Sequence, residues 1–405
     1  MLKLHNTASQ QLETFKPVNP QKVSVFTCGP SIYRRAHIGN FRTFLYEDVV
    51  VRYLEYLGYT VERGMNITDL EDKALLEAKK QGRPLHEITK ENIGQFVEEM
   101  ALLRIKHPDH LANASDHVDD AAALIQTLID KGFAYWHDGN VYYDALKFAD
   151  FGKIANLDLS DWPEETRRFH LDNYPPNRWN KGDFILWYGE KKAAGIDWET
   201  SLGRGRPAWN VQDASIIVGT MDEPLSIYCG GVDNLVRHHD YSVAIIEAAR
   251  DYEMARYWLH GGHLLSNGHK MAKSLGNEYY TSTLLDMGYS AEEIRFVVIN
   301  YPYRQELDFS LELMAQSSER LRAFRAQASA LREAAKNAAA QSPAPKASLL
   351  TAFETHMNED LNVQAAFAAL EQELAGMHPA ALSASEAAGA VAALEKIDTV
   401  LQVIF

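Results

Sequence analysis

The sequence is poor in cysteine, with 2 Cys among 405 residues, and this scarcity excludes a disulfide framework and indicates a reducing compartment. Long apolar runs are also missing, since no segment reaches the roughly 20 residues that a membrane-spanning helix needs. The first residues, "MLKLHNTASQQ", have no apolar core of the signal-peptide type. We therefore expect a cytoplasmic protein with no membrane partner.

Basic residues are outnumbered by acidic ones, with 40 Lys plus Arg against 55 Asp plus Glu and a net charge of −15. This balance argues against a free-standing nucleic-acid-binding protein, although a local basic groove is compatible with it. The composition, with 46% hydrophobic and 23% charged residues, is typical of a globular protein. A chain of 405 residues has room for two to three domains, each with its own core.

The first 67 residues alternate between strand and helix patterns. A buried strand is predicted from Val23 to Phe26, an amphipathic helix from Phe41 to Leu57 that ends at Gly58, and a second strand from Tyr59 to Ile67. Such a β-α-β opening predicts a parallel sheet with a right-handed crossover. Helices are expected to follow over about 71–104 and 114–131.

The rest of the chain changes character twice. A mixed region rich in Trp, Tyr, Pro and Asp is typical of an insertion, and "ASIIVG" and "LSIYCGG" are then predicted to resume the sheet before the helical "HHDYSVAIIEAARDY". Beyond residue 311 we predict a helical bundle with one long helix, the linker "QSPAPKAS" and two further helices. The predicted units are a first half of an α/β core (1–112), an insertion (113–206), the second half of the core (207–310) and the bundle (311–405).

Two short motifs suggest phosphate chemistry. In "HIGN", His37 and Gly39 stand at a helix start, where unpaired N–H groups and the helix dipole attract phosphate. In "KMAKSLGN", Lys270 and Lys273 are three residues apart in a Gly-flanked loop, and lysine suits the neutralisation of a leaving polyphosphate. A turn glycine beside a surface histidine, and a solvated charged turn, are the alternative interpretations.

Taken together, these motifs resemble the HIGH and KMSKS signatures of class I aminoacyl-tRNA synthetases. Further blocks are similar to the cysteinyl-tRNA synthetase family over about residues 20–310, and the helical tail is similar to the bundle of that family. The blocks are "TCGPSIYRRAHIGNFRTF", "NITDLEDKA", "KGDFILW", "GRPAWNVQ", "GGVDNLVRHHD" and "KMAKSLGN".

The resemblance implies a Rossmann-type class I synthetase catalytic core with a connective insertion, followed by a C-terminal α-helical bundle. It also implies a ligase that joins an amino acid carboxylate to the α-phosphate of ATP and releases pyrophosphate, with Mg²⁺ accompanying the ATP. The implied catalytic residues are His37, Asn40, Lys270 and Lys273. The implied ATP-binding residues are Gly29, His37, Gly39, Asn40, Gly230, Gly231, Asp233, Lys270, Met271, Lys273 and Ser274.

The zinc site of that family departs from its pattern here. Its four ligands, Cys, Cys, His and Glu, fall on Cys28, Asp213, His238 and Ser242, so two of the four residue types are retained. Cys28, Asp213 and His238 would remain as a weakened metal set, and we expect little or no zinc. Cys28 as a small buried apolar residue, and Asp213 as a helix cap or surface acid, are the alternatives.

We therefore expect a rebuilt amino acid pocket, in which Asp213 favours a cationic or hydrogen-donating side chain over a thiol. The expected substrate-binding residues are Cys28, Thr68, Trp209, Asp213, Tyr228 and His238. Cys229 does not coincide with a family ligand, although it lies at a strand end that could face the pocket.

The expected partners are ATP, an amino acid and an acceptor, which is either the tRNA acceptor end or a small amine or alcohol. The chain ends at "TVLQVIF", where the family continues into an anticodon-reading domain, so we expect a truncated paralogue. The layout is similar to that of the mycothiol ligase branch. An authentic cysteine–tRNA ligase with a degenerate zinc site and a non-catalytic, regulatory paralogue remain as alternatives.

Overall fold

A five-stranded parallel sheet forms the centre of the chain in a computed structural model, which describes residues 1–157, 183–193, 195–221, 224–271, 275–336 and 344–405. Its strand order is β12-β11-β3-β4-β5, and every neighbouring pair is parallel. The order reverses between β3 and β11, and ligands of open α/β sheets bind at such reversals. The strands are β3 (Val23–Thr27), β4 (Val61–Ile67), β5 (His110–Asn113), β11 (Leu225–Gly231) and β12 (Ala255–Gly261).

The predicted β-α-β opening is present, because β3 and β4 are joined by the long helix α1. Every residue of β3 is buried. Two consecutive residues of this strand, Val25 and Phe26, pack into different apolar clusters on opposite faces of the sheet. After α1 the chain turns at Gly58, whose φ of +92° is favourable only for glycine. The helices of this part of the chain are α1 (Ile38–Tyr56), α2 (Asp72–Gln81), α3 (Leu85–Leu102), α4 (Val118–Asp130), α5 (Trp209–Thr220), α6 (Asp240–Arg250), α7 (Thr281–Asp286) and α8 (Ala291–Ile299).

A second, antiparallel sheet has its strands between residues 134 and 207, and all of them except Pro207 lie within the segment predicted as an insertion, 113–206. Its order is β6-β7-β8-β10-β9, with β6 (Ala134–His137), β7 (Asn140–Tyr143), β8 (Phe184–Gly189), β9 (Trp198–Thr200) and β10 (Gly203–Pro207). Two smaller sheets pair β1 (Lys3–Asn6) with β2 (Gln11–Thr14), and join β13 (Leu264–Ser266) to β14 (His269–Lys270) and β15 (Leu307–Phe309).

The C-terminal part is helical, as predicted, but the described residues beyond the long first helix contain three helices rather than two. The chain breaks at Asp360 and Leu361, whose φ values of +60° and +56° cannot continue a helix, and Asn362 then caps the next one. The helices are α9 (Leu311–Ala335), α10 (Ala347–Met357), α11 (Val363–Ala375) and α12 (Ala384–Leu401). Of the predicted linker, 341–348, residues 341–343 lie outside the described residues, 344–346 precede helix α10, and Ala347 and Ser348 begin that helix.

One sequence prediction gave the wrong type of secondary structure: the "ASIIVG" segment is part of helix α5 and not of a strand. Every side chain from Asn210 to Ile217 is buried, so the helix has no solvent-facing side in this stretch. A helix buried on all sides shows no polar–apolar period in its sequence, and its β-branched residues then favour a strand assignment.

The bundle shares a core with the sheet. Phe296 of α8 packs against Phe367 of α11 with ring centroids 4.5 Å apart, and both belong to the cluster that also contains Val25 and Leu45. Among the described residues, no helix is both long and apolar enough to cross a membrane.

Candidate active site

A cleft lies where β3, β11 and β12 end, at the reversal of strand order, and it has a volume of about 270 Å³. It collects residues that are far apart in sequence, from Cys28 after β3 to Met271 after β14. Twelve predicted site residues line it: Cys28, Gly29, His37, Gly39, Asn40, Thr68, Trp209, Gly231, Asp233, His238, Lys270 and Met271. Lys273 and Ser274 lie outside the described residues.

The start of α1 forms one wall of the cleft. The backbone N–H of His37 donates to Oδ1 of Asn40 at 3.0 Å, and the Asn40 side chain is exposed. The His37 ring lies over Gly39, where an added Cβ would be 2.8 Å from Nδ1. Burial lowers the pKa of His37 to about 4, so the ring is neutral at pH 7 and can donate one N–H to a phosphate oxygen.

Glycines let the strand ends approach other groups closely. Gly29 donates its N–H to Oδ1 of Asn66 at 2.7 Å, and a Cβ there would overlap the Asn66 carbonyl oxygen at 1.7 Å. Gly231 lines the cleft, whereas Gly230 lies one residue behind it against the ring of His239. Both glycines therefore shape the strand end, but only Gly231 is placed to contact a ligand.

Two side chains of opposite charge lie at the far end of the cleft from the buried residues. Lys270 on β14 and Asp233 after β11 are both exposed, with Nζ and Oδ2 3.9 Å apart. A cation suits phosphate and a carboxylate suits sugar hydroxyls, so this pair offers both kinds of contact at the cleft. Met271 is buried beside them and contributes an apolar surface.

The buried end of the cleft centres on His238. Its Nε2 lies 3.0 Å from Oδ2 of Asp213, and its ring stacks on Trp209 with centroids 3.8 Å apart and an interplanar angle of 13°. Cys28, also at this end, is buried and lies within 3.7 Å of Nδ2 of Asn234. The sequence did not indicate Asn234, because a loop asparagine has no distinguishing local pattern.

Asp213 lies behind the cleft wall, contrary to the expectation that it contacts the substrate. Its Oδ1 accepts from Nδ2 of Asn66 at 2.8 Å, and its Oδ2 accepts from the Tyr228 hydroxyl at 2.8 Å. Burial opposes its ionisation, but His238 and hydrogen bonds from His238, Tyr228 and Cys28 together hold its pKa below the usual value. Tyr228 likewise lies behind the wall, because its hydroxyl points to Asp213.

Cys229 does not face the cleft either. It is fully buried in the apolar cluster on the α1 side of the sheet, and burial raises the pKa of its thiol. The alternation of side chains along β11 explains this placement, since Tyr228 belongs to the cluster on the other face.

Two of the four positions that carry the family's zinc ligands hold oxygen atoms that are engaged in hydrogen bonds within the protein. The Ser242 hydroxyl donates to the backbone oxygen of His238 at 3.0 Å, and both Asp213 oxygens accept hydrogen bonds from protein groups. In the described part of the chain, another group of possible ligands is Cys28, His238 and His239, whose ligand atoms lie within 4.8 Å of one another. His239 was not predicted, and its Nδ1 lies 2.7 Å from Nε2 of His260.

Comparison with known proteins gives one matching family model, described as tRNA synthetases class I (C) catalytic domain, over residues 14–319. A cysteine–tRNA ligase of Chlamydia pneumoniae is 35% identical over 415 aligned positions, which cover 100% of this chain and 86% of the relative. The cysteine–tRNA ligase of Koribacter versatilis is 33% identical over 416 positions, covering 100% and 82%.

Two solved structures have a similar fold. Mycobacterium tuberculosis methionyl-tRNA synthetase in complex with methionyl-adenylate matches with a TM-score of 0.67 and 16% identity, over 94% of this chain and 89% of that one. Agrobacterium radiobacter K84 agnB2 LeuRS, in a ternary complex with tRNA and LeuAMS, matches with a TM-score of 0.70 and 13% identity, over 96% and 85%. At these identities the likeness concerns the fold alone, and it confirms the predicted Rossmann-type core followed by helices.

Proposed function

We propose that this chain activates an amino acid with ATP and passes the aminoacyl group to an acceptor. The chain belongs to the class I (C) tRNA synthetase family and is a ligase of the aminoacyl-tRNA synthetase type. The observation that carries this proposal is the meeting of a helix start and a lysine in one cleft. His37, Gly39 and Asn40 begin α1, and Lys270 lines the same cleft. Both features suit phosphate oxygens.

In this proposal the amino acid carboxylate attacks the α-phosphorus of ATP. The new bond gives an aminoacyl adenylate, the bond to the β-phosphate breaks, and the electron pair leaves with pyrophosphate. The reaction depends on alignment and on stabilising negative charge at phosphate oxygens. The neutral His37 ring donates to those oxygens, and Lys270 balances the charge of the pyrophosphate. Lys273 and Ser274 are proposed to act beside Lys270 on the sequence pattern alone.

Asp233 is proposed to bind the ribose. Its carboxylate is exposed at the end of β11, the position at which acidic side chains of α/β nucleotide-binding folds accept from sugar hydroxyls. Mg²⁺ would enter with the triphosphate and neutralise part of its charge. The twelve residues that line the cleft, together with Gly230 behind it, are proposed as the site for ATP and the amino acid.

The acceptor is proposed to be the 3′ end of a tRNA. The relatives that match over the whole chain at 35–37% identity are named cysteine–tRNA ligases, which supports tRNA over a small molecule. The division into two core halves, an insertion and a bundle is proposed on the same basis. A non-catalytic paralogue is less well supported, because the phosphate-facing groups His37 and Lys270 are both in the cleft.

The test is ATP–pyrophosphate exchange with the full chain, run across protein and non-protein amino acids. We expect Lys270→Ala to lower exchange about 100-fold, as for loss of one charge-stabilising donor, while ATP affinity changes far less. Lys336→Ala, at an exposed lysine at the end of α9, is the matched control. ATP binding without exchange for any amino acid would favour the non-catalytic alternative. Charging of tRNA by the wild-type protein then tests the acceptor.

A further inference from the structure

We propose that the buried end of the cleft recognises the amino acid side chain through Nδ1 of His238, without a metal, and that it selects a short side chain carrying a hydrogen-bond donor. This inference rests on the proposed function, since it concerns the amino acid of the same reaction. It starts from a buried ring nitrogen that has no partner among the described residues.

The His238 ring is fixed in orientation. Nε2 lies 3.0 Å from Oδ2 of Asp213, and the flat face of Trp209 covers the ring at 3.8 Å. A ring held at one nitrogen and stacked on one face cannot turn to pair its other nitrogen elsewhere. His238 is 1% exposed and nevertheless lines the cleft, so Nδ1 can be satisfied only by what the cleft contains.

Asp213 acts as a positioning residue for that ring. Its carboxylate is fully buried and accepts from Asn66, Tyr228 and His238, with a further hydrogen bond from Cys28. A carboxylate with this many donors needs no substrate amine to remain charged. Asp213 therefore affects the substrate only by orienting His238, because its carboxylate accepts the N–H on Nε2 of that ring.

This tautomer decides the chemistry of Nδ1. We assign His238 the tautomer with its one proton on Nε2, towards Asp213, and in this tautomer Nδ1 is a hydrogen-bond acceptor. It therefore pairs with a hydroxyl or an ammonium group on the amino acid side chain. A thiol is a weak donor, an ionised carboxylate has no proton to donate, and a methyl group would leave Nδ1 unpaired inside the protein.

The space restricts the length of the side chain. One cleft of about 270 Å³ must hold reacting parts of both ATP and the amino acid, and the walls at this end are the large rings of Trp209 and His238. Serine and 2,3-diaminopropionate place a donor one carbon beyond Cα, and these two are the compounds that we expect the cleft to accept.

The experiment measures kcat/KM for exchange with L-serine, L-2,3-diaminopropionate, L-cysteine, L-alanine and L-aspartate, together with the zinc content of the purified protein. We expect serine or diaminopropionate to exceed alanine by at least about 100-fold, since sites built to pair a polar group reject analogues that lack it. His238→Phe keeps the stacking on Trp209 and removes both nitrogens, so the ratio should fall below about 10-fold with little change for alanine. His86→Phe, at an exposed histidine of α3, should leave the ratio unchanged.

Two further measurements guard against misfolding of the variant. Seryl- and alanyl-sulfamoyl adenosine are compared by the shift in melting temperature that each gives the wild-type protein, and the seryl compound should give the larger shift. Asp213→Cys with Ser242→Glu restores the residue types of the family's zinc site, and this variant should gain zinc and exchange with cysteine.

Three results would overturn the inference. Exchange greatest with cysteine, with about one zinc per chain, would mean that Cys28, His238 and His239 hold a metal. Equal exchange with alanine and serine, or a preference for aspartate, would show that Nδ1 does not accept from the substrate. In each of these cases exchange occurs, so the proposed function stands, whereas no exchange with any amino acid would remove both.

Discussion

Gly39 is a residue at which the cleft tolerates little change. A Cβ there would lie 2.8 Å from Nδ1 and 2.9 Å from Cε1 of His37, so Gly39→Ala must displace the ring from the helix start. We expect at least a tenfold loss in ATP–pyrophosphate exchange, or about 1.4 kcal/mol of transition-state stabilisation. Measured kcat/KM for ATP checks this.

Gly94 in the middle of α3 provides the control for Gly39, because a Cβ there meets nothing within 4 Å. Gly94→Ala should leave exchange unchanged and raise the free energy of unfolding by about 0.5–1 kcal/mol, since alanine favours a helix over glycine. Equal exchange rates in both variants would mean that the His37 ring does not need its present position.

His37 should also make stability depend on pH. Burial lowers its pKa to about 4, whereas the unfolded chain binds a proton near 6.5, so the stabilising contribution is complete above about 6.5 and is lost as the pH falls toward 4. The difference corresponds to at most about 3 kcal/mol. We expect urea denaturation at pH 7.5 and pH 4.5 to show a smaller loss of unfolding free energy for His37→Gln than for the wild type. An identical loss in both proteins would contradict the buried, neutral ring.

Tyr46 of α1 connects this helix with the ends of β11 and β12 through hydrogen bonds. Its hydroxyl accepts from the N–H of Gly230 at 2.9 Å and lies 2.7 Å from the Gly230 oxygen and 3.0 Å from the Leu259 oxygen. It thereby holds the ends of β11 and β12 at the edge of the cleft. The Tyr46 ring also fills the space beside Gly261, where a Cβ would be 2.5 Å away.

We expect Tyr46→Phe to cost about 1–3 kcal/mol of unfolding free energy, because it leaves buried backbone groups without a partner. Exchange should fall as well, since Gly231 lines the cleft. Tyr53→Phe is the matched control on the same helix: its hydroxyl bonds to Asn358 at 3.1 Å, far from the strand ends. Chemical denaturation and exchange assays of both variants test this, and a Tyr46→Phe enzyme that matches Tyr53→Phe in exchange would show that the strand ends keep their position without the hydroxyl.

The elements that were predicted correctly are those with one exposed side or a strong end signal. The helix after β3 was found because its apolar residues recur at helical spacing and Gly58 ends it, and the segment Val61–Ile67 because its apolar residues stand at alternate positions. Helix α5 was missed because its middle is buried on every side. Likewise, the two motifs allowed us to predict that His37 and Lys270 lie in one site. The residues around Asp213 did not indicate that Asn66, 147 positions away, would donate a hydrogen bond to its carboxylate.

At the scale of the whole molecule, the catalytic part and the bundle are joined by a buried ion pair as well as by a shared core. Arg295 of α8 is fully buried; its Nη2 lies 2.6 Å from Oδ2 of Asp48 on α1, and its Nε donates to the Leu401 oxygen at the end of α12 at 2.7 Å. One guanidinium therefore links two helices of the core with the last helix of the bundle.

This arrangement predicts that core and bundle unfold together. All 7 Trp residues precede residue 311, so Trp fluorescence follows only the catalytic part, while far-ultraviolet circular dichroism follows the helices of both. We expect the two signals to give the same urea midpoint.

Arg295→Met should lower the unfolding free energy by about 3–5 kcal/mol, because Asp48 stays buried with one cation fewer. It should also move the two midpoints apart, since the bundle loses one of its buried polar contacts with the core. Arg83→Met, which removes an exposed ion pair with Glu91, should cost less than about 1 kcal/mol and keep the midpoints together. Two separate transitions in the wild-type protein would show instead that the bundle is an independent folding unit.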